Sequence, residues 1–140
     1  MSFRTMLAVR WTDCDAAGIV FYGNYYALQE AATLEFFRSR GLSWHTLQER
    51  YGAHFPRVES HCTYTGPATY GDLIEVELFV PDIASKIMTL GFRVFAQVDQ
   101  RKLCDGYVKF AMVPRSPENG AARALPLPEE FRAIFSELRA

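Results

Sequence analysis

No apolar run in these 140 residues approaches the roughly 20 needed to span a bilayer, so no membrane-spanning helix is expected. The opening MSFRTMLAVRW also lacks the apolar segment of a signal peptide, and no membrane anchor is read from it. Cysteine is scarce: Cys14, Cys62 and Cys104 are odd in number and far apart, and no CxxC pair occurs. That argues for free thiols in a reducing, cytoplasmic setting and against zinc. Charge of either sign is not in excess. Fifteen Lys and Arg stand against 16 Asp and Glu, a net charge of −1, which gives no general pull on nucleic acid or an anionic membrane. A phosphate-bearing ligand must then be held by a local cluster of cations. Neither GxxxxGK nor GxSxG is present, which excludes a P-loop and the nucleophile elbow of a serine hydrolase.

What is present is ordinary globular composition, 49% hydrophobic and 22% charged. The length suits one domain, residues 1–140, with a sizeable core. Residues 3–12 alternate, with Phe3, Leu7, Val9 and Trp11 on one side and Arg4 and Arg10 on the other, which predicts a strand. Asn24 stands as an N-cap before YYALQEAATLEFFRSRG, and Gly41 stands where a helix C′ residue belongs. Leu28, Ala31, Ala32 and Phe36 recur at helical spacing with Ala27, Leu34 and Phe37 beside them, so this helix should be largely buried. Ser43 caps a shorter helix in SWHTLQERYG. Four strand-like runs follow, in HFPRVESHCTYT, DLIEVELFVPDI, KIMTLGFRVFAQVD and KLCDGYVKFAMV, with VDQRKLCDG as a hairpin connection. RSPENGAARALPLP reads as loop and PEEFRAIFSELRA as a terminal helix. One strand, one long apolar helix and four antiparallel strands make an α+β fold, a curved five-stranded sheet around the helix.

The chemistry centres on TDCDAAGIVFYGNYY. Asp13 and Asp15 have three possible duties there: holding a metal, attacking a substrate, or capping a turn. A calcium loop needs further oxygen ligands at fixed offsets, and Ala16 and Ala17 fill those places. No metal is therefore expected. His45, His54 and His61 are scattered through helix, loop and strand. Asp15 has the richer surroundings. Gly18 permits a positive φ. The helix start near Asn24 offers unpaired N–H groups and the positive end of its dipole. Phe21, Tyr22, Tyr25 and Tyr26 supply apolar walls. A carboxylate beside an oxyanion-stabilising helix end is the equipment of acyl transfer, while the turn role stays open at this point.

DCDAAGIVFYGNYY resembles the signature D-x-x-G-[IV]-V-x-[HY]-x-N-[YH] of the hot-dog-fold acyl-CoA thioesterases, in the 4-hydroxybenzoyl-CoA thioesterase group. TYGDLIEVE and the pair Ser85-Lys86 resemble later segments of that family, while Ala8 departs from its usual glutamine or arginine. The resemblance implies a five-stranded antiparallel sheet wrapped around one long central helix. It also implies subunits joined in dimers that often pair into tetramers, an active site at the subunit interface and no cofactor. By the same likeness the reaction is hydrolysis of an acyl-CoA thioester, either aryl-CoA such as 4-hydroxybenzoyl-CoA or short-chain acyl-CoA. Asp15 matches the catalytic carboxylate and Tyr22 the carbonyl-polarising backbone amide. Gly18, Tyr25, Tyr26, Glu30 and Ser85 would face the substrate, and Lys86 and Arg123 would meet coenzyme A phosphates. Glu30 has a second possible role, as a plain helix-face acid. Two other readings remain: a hot-dog dehydratase or hydratase, which needs a histidine paired with a carboxylate, and a non-catalytic acyl-thioester-binding module.

Overall fold

A computed structural model describes residues 1–116 and 123–140; the tip of the loop expected in RSPENGAARALPLP lies outside the described residues. Strand β1 (Phe3–Ala8) alternates half-buried and exposed side chains, as its pattern predicts. It is shorter than the alternation, because Trp11–Asp13 coil into a 3-10 turn. The Asp13 carboxylate accepts the Arg10 backbone N–H at 2.8 Å, which folds the chain back before Trp11 can extend the strand.

Helix α1 (Tyr25–Arg38) buries Tyr25, Leu28, Gln29, Ala32, Thr33, Phe36 and Phe37, one stripe at three- and four-residue spacing. Gln29 and Thr33 satisfy each other inside it. Gln29 Nε2 donates to Thr33 Oγ1 at 2.7 Å, and Thr33 Oγ1 donates to the Gln29 carbonyl at 3.0 Å. The helix stops at Arg38 rather than running to Gly41. Ser39 Oγ donates to the Phe36 carbonyl at 2.6 Å, and Gly41, at φ +69°, lets Leu42 N–H close on the Phe37 carbonyl at 2.9 Å. At the other end Asn24 already has helical torsions and makes no side-chain cap. Its amide instead donates to the Asp13 carbonyl at 2.9 Å, tying the helix start to the acidic loop.

Helix α2 (Trp44–Tyr51) is capped by Ser43, whose Oγ accepts Thr46 N–H at 3.1 Å. The short strand β2 (Ala53–His54) follows, then β3 (Arg57–Tyr64), β4 (Leu73–Ile83), β5 (Met88–Ala96), β6 (Lys102–Phe110) and the short β7 (Val113–Pro114). Helix α3 (Glu129–Ser136) closes the order behind Pro128. The main sheet runs β1-β4-β5-β6-β3, all antiparallel, and β2 pairs with β7 apart from it. Ile74, Val76, Leu78, Phe92, Val94, Val108 and Phe110 form its inner surface. Phe36 and Phe37 of α1, with Phe131 and Phe135 of α3, complete the core. Each such side chain contributes about 1.5–3 kcal/mol by leaving water.

The two sheet edges differ. β1 is short, whereas β3 is an eight-residue strand exposed along nearly its whole length. β3 lies close on β6. A Cβ on Gly106 would stand 2.0 Å from the His61 carbonyl oxygen, so only glycine fits there.

Candidate active site

The acidic loop is pinned at both ends. Val9 N–H donates to the Asp72 carbonyl at 2.8 Å, Gly71 N–H to the Val9 carbonyl at 3.0 Å, and Tyr70 N–H to the Gly18 carbonyl at 3.1 Å. The two aspartates have separate duties. Asp13 is 4% exposed. Besides Arg10 N–H its carboxylate accepts Arg10 Nη2 at 3.1 Å, and its carbonyl accepts Phe21 N–H at 3.0 Å. It is the clamp of the loop.

Asp15 is exposed. Its Oδ1 accepts Ala17 N–H at 2.8 Å, and its carbonyl accepts Gly18 N–H at 3.0 Å. Gly18 takes φ +78°, which lets the turn close beneath the carboxylate. Among the described residues no further donor reaches the carboxylate, so its second oxygen is left for other chemistry.

Tyr22 begins a 3-10 turn, Tyr22–Asn24, that runs directly into α1. Asn24 N–H is the first amide of this turn to find a carbonyl, that of Phe21 at 2.8 Å. The amides of Tyr22 and Gly23 precede the turn's own hydrogen bonding, at the positive end of the helix dipole. The Tyr22 carbonyl is held by Tyr64, whose hydroxyl donates to it at 2.9 Å. Asp15, Ile19, Val20, Tyr22, Tyr25, Tyr64, Gly66 and Pro67 line one open pocket of about 260 Å³. Asp15 also lines a second pocket, of about 340 Å³, with Trp11, Thr12, Cys14 and Ala16.

Tyr25 and Tyr64 pack at 5.5 Å between ring centroids, and burial raises the pKa of both. Behind them, the neighbouring Cys104 thiol draws Cys62 down to about 6, with the Tyr26 and Tyr64 hydroxyls adding to the effect.

Of the residues expected at the site, the fold brings Asp15, Tyr22 and Tyr25 around one pocket, with Gly18 shaping the turn. Tyr26 is half-buried outside that pocket's lining, its ring 6.3 Å from Phe92. Glu30 is outside the pocket wall. It accepts Trp44 Nε1 at 2.5 Å and Arg57 Nη2 at 3.0 Å, so a substrate hydroxyl would reach it only by displacing one of these. Ser85 and Lys86 are exposed between β4 and β5. The loop carrying Asp15 meets the start of β4, and the 11 residues of that strand, at about 3.3 Å each, put roughly 35 Å between its ends. Within one chain Lys86 and Asp15 therefore serve different places. Arg123 is exposed. No group of three or more His, Cys, Asp or Glu able to hold a metal occurs among the described residues. Tyr64, Gly66 and Pro67 were not foreseen. Their only sequence signal is an aromatic residue closing a strand just before Gly-Pro.

A family model described as the thioesterase-like superfamily matches residues 9–135. Among curated proteins the chain is 27% identical over 137 residues to the acyl-CoA thioesterase YbgC of Haemophilus influenzae, covering 98% of this chain and 96% of that one. It is 32% identical over 76 residues to the 4-hydroxybenzoyl-CoA thioesterase of a Pseudomonas species, covering 53% and 54%. The solved 1,4-dihydroxy-2-naphthoyl-CoA thioesterase from Synechocystis superposes with a TM-score of 0.86 over 99% of this chain and 98% of that one. Its sequence identity is 19%, and the likeness is one of fold: the sheet wrapped around α1 is the hot-dog arrangement.

Proposed function

The chain belongs to the thioesterase-like superfamily and is an acyl-CoA thioester hydrolase, and from that premise we propose that Asp15 and the Tyr22 amide carry out the reaction. The observation that carries the assignment is that both line one pocket, the carboxylate facing space that the helix start also faces. The substrate carbonyl oxygen takes the Tyr22 N–H as donor. Charge then develops on that oxygen where a fixed dipole already points, an effect worth about 3–4 kcal/mol per donor in acyl transfer. Asp15 acts by one of two routes. As nucleophile it forms a C–O bond to the carbonyl carbon, the C–S bond breaks, coenzyme A leaves as thiolate, and water hydrolyses the mixed anhydride. As general base it takes a proton from the water that attacks.

The walls of Tyr22, Tyr25, Tyr64 and Pro67 fit an aryl group such as 4-hydroxybenzoyl, or a short acyl chain. Gly18 sets the turn and Tyr26 backs the wall, while Glu30, bound to Trp44 and Arg57 outside this pocket, serves as a helix-face acid. The exposed β3 edge supports a homodimer, able to pair further into a tetramer. Antiparallel two-fold pairing across β3 sets the far end of one sheet beside the near end of the other. Ser85, Lys86 and Arg123 of a second copy are then the cations and polar groups for the coenzyme A phosphates.

Thiol release from a panel of aryl- and alkyl-CoA esters tests the reading. Asp15→Asn keeps shape and hydrogen bonding while removing nucleophilic and basic character. Its kcat should fall at least about a thousandfold, more than 4 kcal/mol of barrier, with the fold intact. Turnover within tenfold of the parent would remove Asp15 from the chemistry. Hydration of an enoyl thioester without thiol release would indicate the dehydratase, and coenzyme A binding without any turnover the binding module.

A further inference from the structure

Tyr64 does two separate things at the pocket. Its ring is a wall, with centroids 5.5 Å from Tyr25 and 6.5 Å from Tyr22. Its hydroxyl turns to the backbone and donates to the Tyr22 carbonyl at 2.9 Å. A wall needs no hydroxyl. Phenylalanine would line the pocket as well, and a tyrosine 44% exposed could give its O–H to water instead.

The bond falls on the residue whose amide faces the substrate. The Tyr22 N–H lies in the stiff peptide plane that it shares with the Phe21 carbonyl. That plane is tied to the acidic loop. The Phe21 carbonyl accepts Asn24 N–H at 2.8 Å, and Phe21 N–H donates to the Asp13 carbonyl at 3.0 Å. The following plane begins at the Tyr22 carbonyl, which Tyr64 holds. Only φ and ψ of Tyr22 join the two planes, so fixing both carbonyls fixes the direction of the N–H. Tyr64 thus gives the turn a second anchor, on a different element from the first.

That anchor is itself rigid. Tyr64 ends β3 opposite Cys104, and the next residue is bonded to the start of β6. Thr65 N–H donates to the Leu103 carbonyl at 2.9 Å, and Thr65 Oγ1 to the Lys102 carbonyl at 2.8 Å. Desolvation and the neighbouring Cys62 hold the Tyr64 phenol above its ordinary range, so it stays a donor through neutral pH.

We propose that Tyr64 is a positioning residue of the oxyanion donor: through the Tyr22 carbonyl it aims the Tyr22 N–H at the thioester oxygen. This rests on the thioesterase reading of Asp15 and the Tyr22 amide. The two contributions of Tyr64 are separable. A wall binds ground state and transition state alike, whereas an aimed donor acts where charge develops.

Tyr64→Phe keeps the ring and removes the hydroxyl. Its kcat should fall about tenfold, part of the roughly 10²–10³ that a whole oxyanion donor is worth, with KM within about twofold of the parent. The second readout is the carbonyl stretch of a bound ester. The coenzyme A ester that the parent turns over fastest, isotopically labelled at its carbonyl, is bound to Asp15→Asn with and without Tyr64→Phe. A well-aimed donor lowers the stretch, and loss of the hydroxyl should return it part of the way toward that of free ester. A thermal melt checks folding. Should Tyr64→Phe not fold, Tyr64→Leu carries the kcat comparison, since its lost ring falls on KM. A kcat within twofold of the parent overturns the proposal. So does a raised KM at constant kcat, which would make Tyr64 a wall only, and so does an unmoved carbonyl stretch, which would make it a plain support of the strand end. A parent chain that releases thiol from no ester removes the thioesterase reading itself.

Discussion

Asp13 and Asp15 differ by two positions and by everything around them. Asp13 is buried and bound to the backbone and side chain of Arg10, so its charge is committed to shape. Asp15 has one oxygen in a turn and the other toward a pocket. Asp13→Asn should accordingly cost about 1–3 kcal/mol of stability, because a charge-assisted buried contact is weakened. Asp15→Asn should melt within about 0.5 kcal/mol of the parent, as exposed substitutions do. Paired thermal and denaturant unfolding of the two variants decides this, and equal losses would mean that both aspartates hold the loop. The distinction was partly legible in sequence, since only Asp15 stands three residues before Gly18. What hid the rest was distance along the chain. Tyr64 grips the Tyr22 carbonyl from 42 residues away, and nothing near Tyr64 announces it.

Elements with a strong period were readable and their ends were not. The stripe from Tyr25 to Phe37 fixes α1, but its end is set by Ser39 Oγ bonding the Phe36 carbonyl, a local contact that competes with one more turn. Alternation past Ala8 predicted three or four more strand residues, which the Asp13 carboxylate takes for its turn. Asn24 has the residue type of a cap, and the pull of the Asp13 carbonyl makes it a tie instead. Glycine in the middle of β6 weakens a strand unless something needs the space, and the His61 carbonyl needs it. Gly106→Ala would have to lift β3 from β6, at a cost of about 1–3 kcal/mol. The melting temperature should drop by several degrees, at roughly the 2–4 °C that each kcal/mol moves a domain of about 150 residues. An unchanged melt would mean that β3 shifts freely, against the packing described.

At the scale of the whole molecule, one sheet covers one helix, and among the described residues the outer edge of β3 has no neighbouring strand. Light scattering should give two or four times the 15.9 kDa of one chain, and Ser60→Pro on β3, at a position whose N–H faces away from β6, should shift the mass toward one. A stable, active single chain would rule out the shared site. The strand order carries another consequence, for synthesis. Phe3 pairs with Leu78, so β1 has no partner until more than half of the chain exists. By then α1 has already left the ribosome, bearing Phe36 and Phe37 with no sheet to cover them. The nascent chain must hold an oily helix in water while its wrapping is still being made. The acidic loop, pinned by Asp72 and the Val9–Gly71 contact, cannot set before β4 begins to pair. The acidic loop comes early in the message and is late to take form.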